Sequence, residues 1–200
     1  MFVNMILNNI LLFTDLDGTL LNKKTFNYGN AKELISSCVE KGIRIIPNSS
    51  KTDLELLEFC KELKLPPIFI SENGACIHGL NNINKDLNDK IILSQSKEKI
   101  YRSFFHKVTK TIKEKCLFIE KLTIREQIKI LGLSKDKITK ALCRKFSIPL
   151  LFLGNEKQKL ELKKCLKFMN LEIQDGGRVS NLGYKVSKGK AMRIFVKKLT

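Results

Sequence analysis

The stretch Leu12-Phe13-Thr14-Asp15-Leu16-Asp17-Gly18-Thr19-Leu20-Leu21 decides the fold of this 200-residue chain. Ile10 to Phe13 is an unbroken apolar run, the pattern of a strand buried on both faces of a parallel sheet. Two carboxylates, Asp15 and Asp17, follow it. Ligands of open α/β sheets sit beyond the carboxyl ends of such strands, where these two emerge. Gly18 permits a sharp turn, and Thr19 offers a hydroxyl to that turn or to an anion. A carboxylate so placed can attack phosphorus to give an aspartyl-phosphate, while its neighbour trades a proton with the leaving group and then with water. Taken alone, the same residues also fit a solvated acidic turn.

Outward from this stretch, apolar spacing sets the fold class. Ile10–Thr14, Ile43–Pro47 and Ile68–Ile70 read as short strands, separated by helical patterns over Asn30–Lys41 and Lys51–Leu63. Strand–helix alternation of this kind argues an α/β fold with a parallel sheet and right-handed crossovers. From about Asn81 the character changes. A turn-rich stretch leads to a strand at Ile91–Leu93 and a basic helix around Lys97–Lys115. A helix capped by Ser134 runs to about Lys145, followed by a strand at Ile148–Leu153, a helix at Glu156–Met169 and a strand at Leu171–Ile173. Ser187 caps a last helix. Residues 81–183 thus form a second α/β block inserted into a core made of residues 1–80 and 184–200.

Three motifs carry a resemblance. Phe13-Thr14-Asp15-Leu16-Asp17-Gly18-Thr19 resembles the first motif of the haloacid dehalogenase-like (HAD) phosphatases. Ser49, after the second strand, matches that family's phosphoryl-binding hydroxyl. Lys188, in Ser187-Lys188-Gly189-Lys190-Ala191, matches the lysine that neutralises the phosphoryl group and the nucleophile. The resemblance implies a Rossmann-like core with an inserted cap, Asp15 as nucleophile, and Asp17 as acid/base residue. It also implies Mg²⁺ held by Asp15 and by the backbone carbonyl of Asp17. Ile46-Pro47-Asn48-Ser49-Ser50-Lys51-Thr52 and Ser71-Glu72-Asn73-Gly74-Ala75 are similar to segments of the mannosyl-3-phosphoglycerate phosphatases within that superfamily. Arg144, in Arg144-Lys145-Phe146-Ser147-Ile148-Pro149, and Gly177 and Arg178, in Gly176-Gly177-Arg178, resemble their substrate-facing cap residues. Two positions depart from the pattern: Ile148 stands where an acidic residue is expected, and Asn181 where a His is common.

Each of these residues has a plainer reading. Ser49 and Ser50 can cap the helix that follows, Lys185 rivals Lys188, and Arg144 and Arg178 can be surface charges. Gly176-Gly177 can be a hairpin turn. The family also has a Gly-Asp-x-x-Asn-Asp-type motif beyond the lysine, supplying a Mg²⁺ ligand, whereas no residue after Asp175 is acidic here. The chain therefore reads as a C-terminally shortened relative, with weaker metal binding, a less well oriented nucleophile and an exposed sheet edge. The expected substrate is a small anionic phospho-sugar, mannosyl-3-phosphoglycerate or a related glycosyl phosphoglycerate. Another sugar phosphate, or an impaired remnant that only binds phospho-sugars, stays open.

Composition sets the remaining bounds. Residues 1–80 hold 8 Lys and Arg against 9 Asp and Glu, and residues 81–200 hold 29 against 11. Basic asymmetry can mark a nucleic-acid surface, yet Lys supplies 31 of the 37 basic residues and is dispersed along helices. No nucleic-acid motif with interleaved aromatics appears, so such a partner is not expected. A positive cap would still attract a doubly anionic substrate. No apolar run approaches the roughly 18 residues of a membrane span, so no membrane partner is expected. Six scattered cysteines without a Cys-x-x-Cys read as free thiols of a cytoplasmic protein, and the isolated His78 and His106 suggest no metal site. A homodimer across the exposed edge is a further arrangement that the sequence leaves open.

Overall fold

A computed structural model describes residues 10–22 and 28–199, which divide into two units. One unit comprises the described residues through Leu93 together with those from Ser187 onward, and the other comprises Ser94–Val186. Sequence placed these boundaries at 80/81 and 183/184, and pairing explains the differences. The strand at Lys90–Ile92 pairs antiparallel with Cys76–His78 and so stays in the first unit. Tyr184 pairs with Leu171 and so ends the last strand of the second.

The first unit is built on β1 (Leu11–Thr14) and β2 (Arg44–Pro47), a parallel pair in register from Leu11 opposite Arg44 to Thr14 opposite Pro47. Helix α1 (Ala31–Glu40) lies between them in the chain, and α2 (Asp53–Glu62) follows β2. β3 (Phe69–Ser71) meets β2 through a single parallel bridge, Asn48 to Ile70. On its other side it pairs antiparallel with β4 (Cys76–His78), which in turn pairs with β5 (Lys90–Ile92). The parallel sheet foreseen from three apolar runs is therefore parallel only as far as β3. Among the described residues β1 pairs only with β2, and Leu12 is 44% exposed, so β1 is not buried on both faces as its apolar run suggested. An open cleft of about 490 Å³ lined by Phe13, Met192, Arg193, Val196 and Lys197 lies in this unit.

In the second unit a four-stranded antiparallel sheet has the order β6 (Cys116–Phe118), β7 (Ser147–Phe152), β9 (Ser180–Tyr184), β8 (Leu171–Asp175). Its main core joins Ile148, Leu150 and Leu182 of the sheet to Ile100 and Phe104 of α3 (Lys97–Lys107) and to Leu162 and Leu166 of α7 (Glu156–Phe168). A smaller cluster gathers Ile119, Leu131 of α5 (Ile124–Leu131) and Ile138 of α6 (Lys135–Leu142). The basic helix expected over 97–115 breaks after Lys107. Val108 turns to extended backbone and is itself buried, and α4 (Lys110–Lys113) resumes beyond it. Ser134 takes the N-cap position of α6, but without a side-chain hydrogen bond, and that helix stops at Leu142, short of Lys145.

Helix α8 (Lys188–Lys197) belongs to the first unit, where buried Ala191 and Phe195 pack with Ile46, Ile70 and Ile77. Phe195 meets Phe13 of β1 edge-to-face, the rings 5.3 Å apart. This geometry favours aromatic pairs and ties α8 to the strand that leads into Asp15.

Candidate active site

The carboxyl end of β1 is where the chemistry-bearing residues of the first unit meet. Past Thr14 the backbone folds into a tight turn: Thr19 N–H and Leu21 N–H both donate to Leu16 O, at 3.1 and 2.8 Å, and Gly18 N–H donates to Leu21 O at 2.8 Å. Gly18 has a φ of 78°, a conformation that glycine adopts without steric cost. The turn leaves Asp15 and Asp17 partly exposed, their side chains at 42% and 36%. Asp15 Oδ1 accepts from Leu16 N–H at 2.8 Å. Its Oδ2 lies 2.6 Å from Lys188 Nζ, a charge-assisted contact slightly shorter than usual.

Lys188 owes this position to the start of α8. Ser187 caps the helix, its Oγ accepting from Lys190 N–H at 3.1 Å. The same backbone is clasped by a turn after β3, in which Glu72, Asn73 and Gly74 all have positive φ. A Cβ on Gly74 would lie 2.4 Å from Ser187 O and 2.9 Å from Lys188 N, so only glycine fits there. On the other side, Asn48 Nδ2 donates to Lys188 O at 3.3 Å. Lys185, the rival in sequence, lies in the second unit, where its N–H donates to Asn170 O.

The loop after β2 completes the arrangement. Asn48 N–H donates to Thr14 O at 2.8 Å, holding this loop beside the end of β1. Ser49 is fully buried, and its Oγ accepts from Lys51 N–H at 3.4 Å. That hydroxyl, expected to meet a phosphoryl oxygen, here shapes the loop. Neither Ser49 nor Ser50 caps α2. Thr52 does, in a capping box with Glu55. Between them Lys51 reaches Asp17, with Nζ 3.1 Å from Oδ1. Sequence reasoning assigned Lys51 no role. The Thr52-x-x-Glu55 pattern was a legible signal for the helix start, but nothing local links Lys51 to Asp17.

The remaining expected site residues lie in the second unit. Arg144 donates from Nη1 to Ser147 Oγ at 2.9 Å. Arg178 donates to Leu131 O at the end of α5, where Gly132 forms the left-handed cap and lies against the guanidinium. A cation suits a helix C-terminus, so this contact accounts structurally for Arg178. Gly177 lies in the turn between β8 and β9, closed by Gly176 N–H to Val179 O at 3.1 Å. Gly177 and Arg178 border a polar cleft of about 320 Å³ that also includes Lys159 and Asp175.

Other titratable groups have structural explanations. His78 Nε2 lies 2.9 Å from Ser71 Oγ, its ring stacked on Phe69. Burial pushes the Cys60 thiol up to about 12 and Cys116 to about 11. None of the six cysteines is joined in a disulfide. Among the described residues, no group of three or more His, Cys, Asp or Glu comes together as a metal cage, and no helix is long and apolar enough to cross a membrane.

Residues 12–197 match the haloacid dehalogenase-like hydrolase family. The glucosyl-3-phosphoglycerate/mannosyl-3-phosphoglycerate phosphatase of Persephonella marina is 30% identical over 196 residues, which cover 94% of this chain and 72% of that protein. A protein of the same name from Methanococcoides burtonii is 43% identical over 67 residues, 34% of this chain and 25% of its own length. Among solved structures, a haloacid dehalogenase-like hydrolase from Bacteroides thetaiotaomicron superposes with a TM-score of 0.63 at 14% identity, over 95% of this chain and 77% of that one. A sugar phosphatase of HAD subclass IIB gives 0.63 at 15% identity, over 96% and 76%. At such identities the structural likeness is one of fold.

Proposed function

The chain belongs to the haloacid dehalogenase-like hydrolase family, and on that premise we propose that it is a phosphomonoesterase with Asp15 as its nucleophile. The observation that carries this reading is the Asp15–Lys188 pair at 2.6 Å. It joins a carboxylate at the end of β1 to a cation on a distant helix, as transfer of an anionic phosphoryl group requires. Asp15 attacks phosphorus, forming a P–O bond as the ester P–O bond breaks. Asp17 gives a proton to the departing oxygen. In the second half-reaction it takes a proton from the water that attacks phosphorus and releases phosphate from Asp15. Lys188 balances the negative charge of the transferring group, the electrostatic contribution that dominates such reactions.

The family implies Mg²⁺, and the donor set fits it sparely. Asp15 offers one partly exposed carboxylate, and Mg²⁺ commonly uses one or two, with carbonyls, waters and substrate oxygens completing its shell. Asp15 would hold the ion through its carboxylate and Asp17 through its backbone carbonyl. When bound, the ion would supply further charge neutralisation at the phosphoryl oxygens.

The proposed substrate is a glycosyl phosphoglycerate, mannosyl-3-phosphoglycerate first, on the strength of the relative named for that activity. Another sugar phosphate is the second reading, favoured by the engagement of Arg144 and Arg178 within their own unit. The test is phosphate release from mannosyl- and glucosyl-3-phosphoglycerate alongside simple sugar phosphates, with and without Mg²⁺. Release that needs Mg²⁺ and disappears in Asp15→Asn is the expected result. A folded protein that releases no phosphate from any of them overturns the assignment.

A further inference from the structure

We infer that Lys51 and Glu55 form a positioning pair for Asp17, aiming the carboxylate that serves the leaving group. The inference rests on the phosphatase reading of Asp15 and Asp17. Its basis is that the two carboxylates are held by different lysines from different parts of the chain. Lys188 takes Asp15 at 2.6 Å, and Lys51 takes Asp17 at 3.1 Å. A nucleophile and a proton donor must face different atoms of one ester, so each needs its own anchor.

Lys51 is unusually well fixed for a lysine. Its N–H donates to Ser49 Oγ at 3.4 Å, and its carbonyl accepts from Glu72 N–H at 2.9 Å, so the backbone is pinned on both sides. Its Nζ also lies 3.5 Å from Glu55 Oε1, and both side chains are only 16% exposed. Glu55 in turn has little freedom. Its Oε2 accepts from Thr52 N–H at 2.9 Å and from Thr52 Oγ1 at 3.2 Å, closing the capping box of α2. The start of a helix thus orients Glu55, Glu55 orients Lys51, and Lys51 anchors Oδ1 of Asp17. Anchoring one carboxylate oxygen sets the direction of the other. An exposed lysine loses side-chain entropy on making such a contact, and the second contact of Nζ, to Glu55, offsets part of that cost.

Leaving-group dependence separates this role from a purely structural one. Proton donation matters for an alcohol leaving group and little for p-nitrophenolate, and kcat/KM reports the first P–O cleavage. General acid catalysis contributes about 10²–10⁴-fold. The experiment measures kcat/KM of the full chain for mannosyl-3-phosphoglycerate and p-nitrophenyl phosphate, in wild type, Lys51→Met, Lys51→Arg and Glu55→Gln. In Lys51→Met the glycosyl substrate should lose about 100-fold more than p-nitrophenyl phosphate, the low end of that range. Lys51→Arg should recover most of that difference. Glu55→Gln keeps a capping-box acceptor but not the charge, and should show a smaller difference in the same direction. Equal losses on the two substrates, or none, would overturn the role of Lys51. If Lys51→Met does not fold, Glu55→Gln is read by the same ratio, and equal losses on the two substrates, or none, overturn the pair. A wild-type protein inactive on both substrates would overturn the phosphatase reading beneath it.

Discussion

Replacing Gly74 with alanine tests the geometry on which the site depends. Gly74 has a φ of 99°, and an added Cβ would lie 2.4 Å from Ser187 O and 2.5 Å from Ser187 C. Restoring ordinary contact at 3.4 Å requires a backbone shift of about 1 Å. The obstacle is main chain, not the end of a flexible side chain, so no rotamer change relieves it. Left-handed backbone costs an L-residue about 1–2 kcal/mol by itself, and with the clash the loss should reach roughly 2–4 kcal/mol. The displaced segment carries Lys188, and a misplacement of about 1 Å at a reacting centre costs about 100-fold in rate. Gly189→Ala is the control. That glycine lies in the first turn of α8 with nothing within 4 Å of an added Cβ, so the exchange should be neutral or stabilise by up to about 1 kcal/mol. Urea unfolding followed by circular dichroism gives the stabilities, and phosphate release gives the rates. A Gly74→Ala protein within about 0.5 kcal/mol of wild type, with unchanged kcat/KM, would refute the close approach of the turn to α8.

Cys143 is exposed, whereas Cys60, Cys76 and Cys116 are buried, so maleimide at neutral pH should label Cys143 well before those three, as peptide mass spectrometry would show. Burial raises the Cys60 thiol from 9.0 to about 12, so the folded state holds this proton more tightly than the unfolded chain. Its contribution to stability is whole below pH 9 and is lost as pH rises toward 12, and urea midpoints should fall across that window. Thr123→Ala removes the capping box that Thr123 shares with Glu126 and should cost about 1 kcal/mol, read as a lower urea midpoint.

The elements legible in the sequence were those with length or sharp punctuation. β1, β2, α2, α7 and α8 all carry apolar runs or helical spacing that local reasoning detects. β4 and β6 are three residues each and, unlike the isoleucine-rich runs that marked β3 and β5, hold at most one isoleucine, and Ser180-Asn181-Leu182-Gly183-Tyr184 of β9 lacks a run of β-formers. α5 could have been read, since Thr123-x-x-Glu126 and Gly132 bracket it. Composition would have carried α3 further, but the helix ends at Lys107, where Val108 turns extended with its side chain buried. Among the candidate site residues, Asp15, Asp17 and Lys188 were named from the motifs they occupy, and the structure brings the three to one strand end. The pairing of Lys51 with Asp17 was not legible, because it depends on two loops meeting in space.

The path of the chain through its two units governs when activity can arise during synthesis. Asp15 and Asn48 leave the ribosome early, but their shared partner Lys188 follows 173 and 140 residues later, after the whole contiguous segment Ser94–Val186. That segment, with its own sheet and core, can fold while the first unit still lacks α8. Closing so long a loop is a slow, entropically costly step. On the role proposed for Lys188, hydrolytic competence waits for α8 to dock, and a nascent chain halted before it would be well structured in part yet inert.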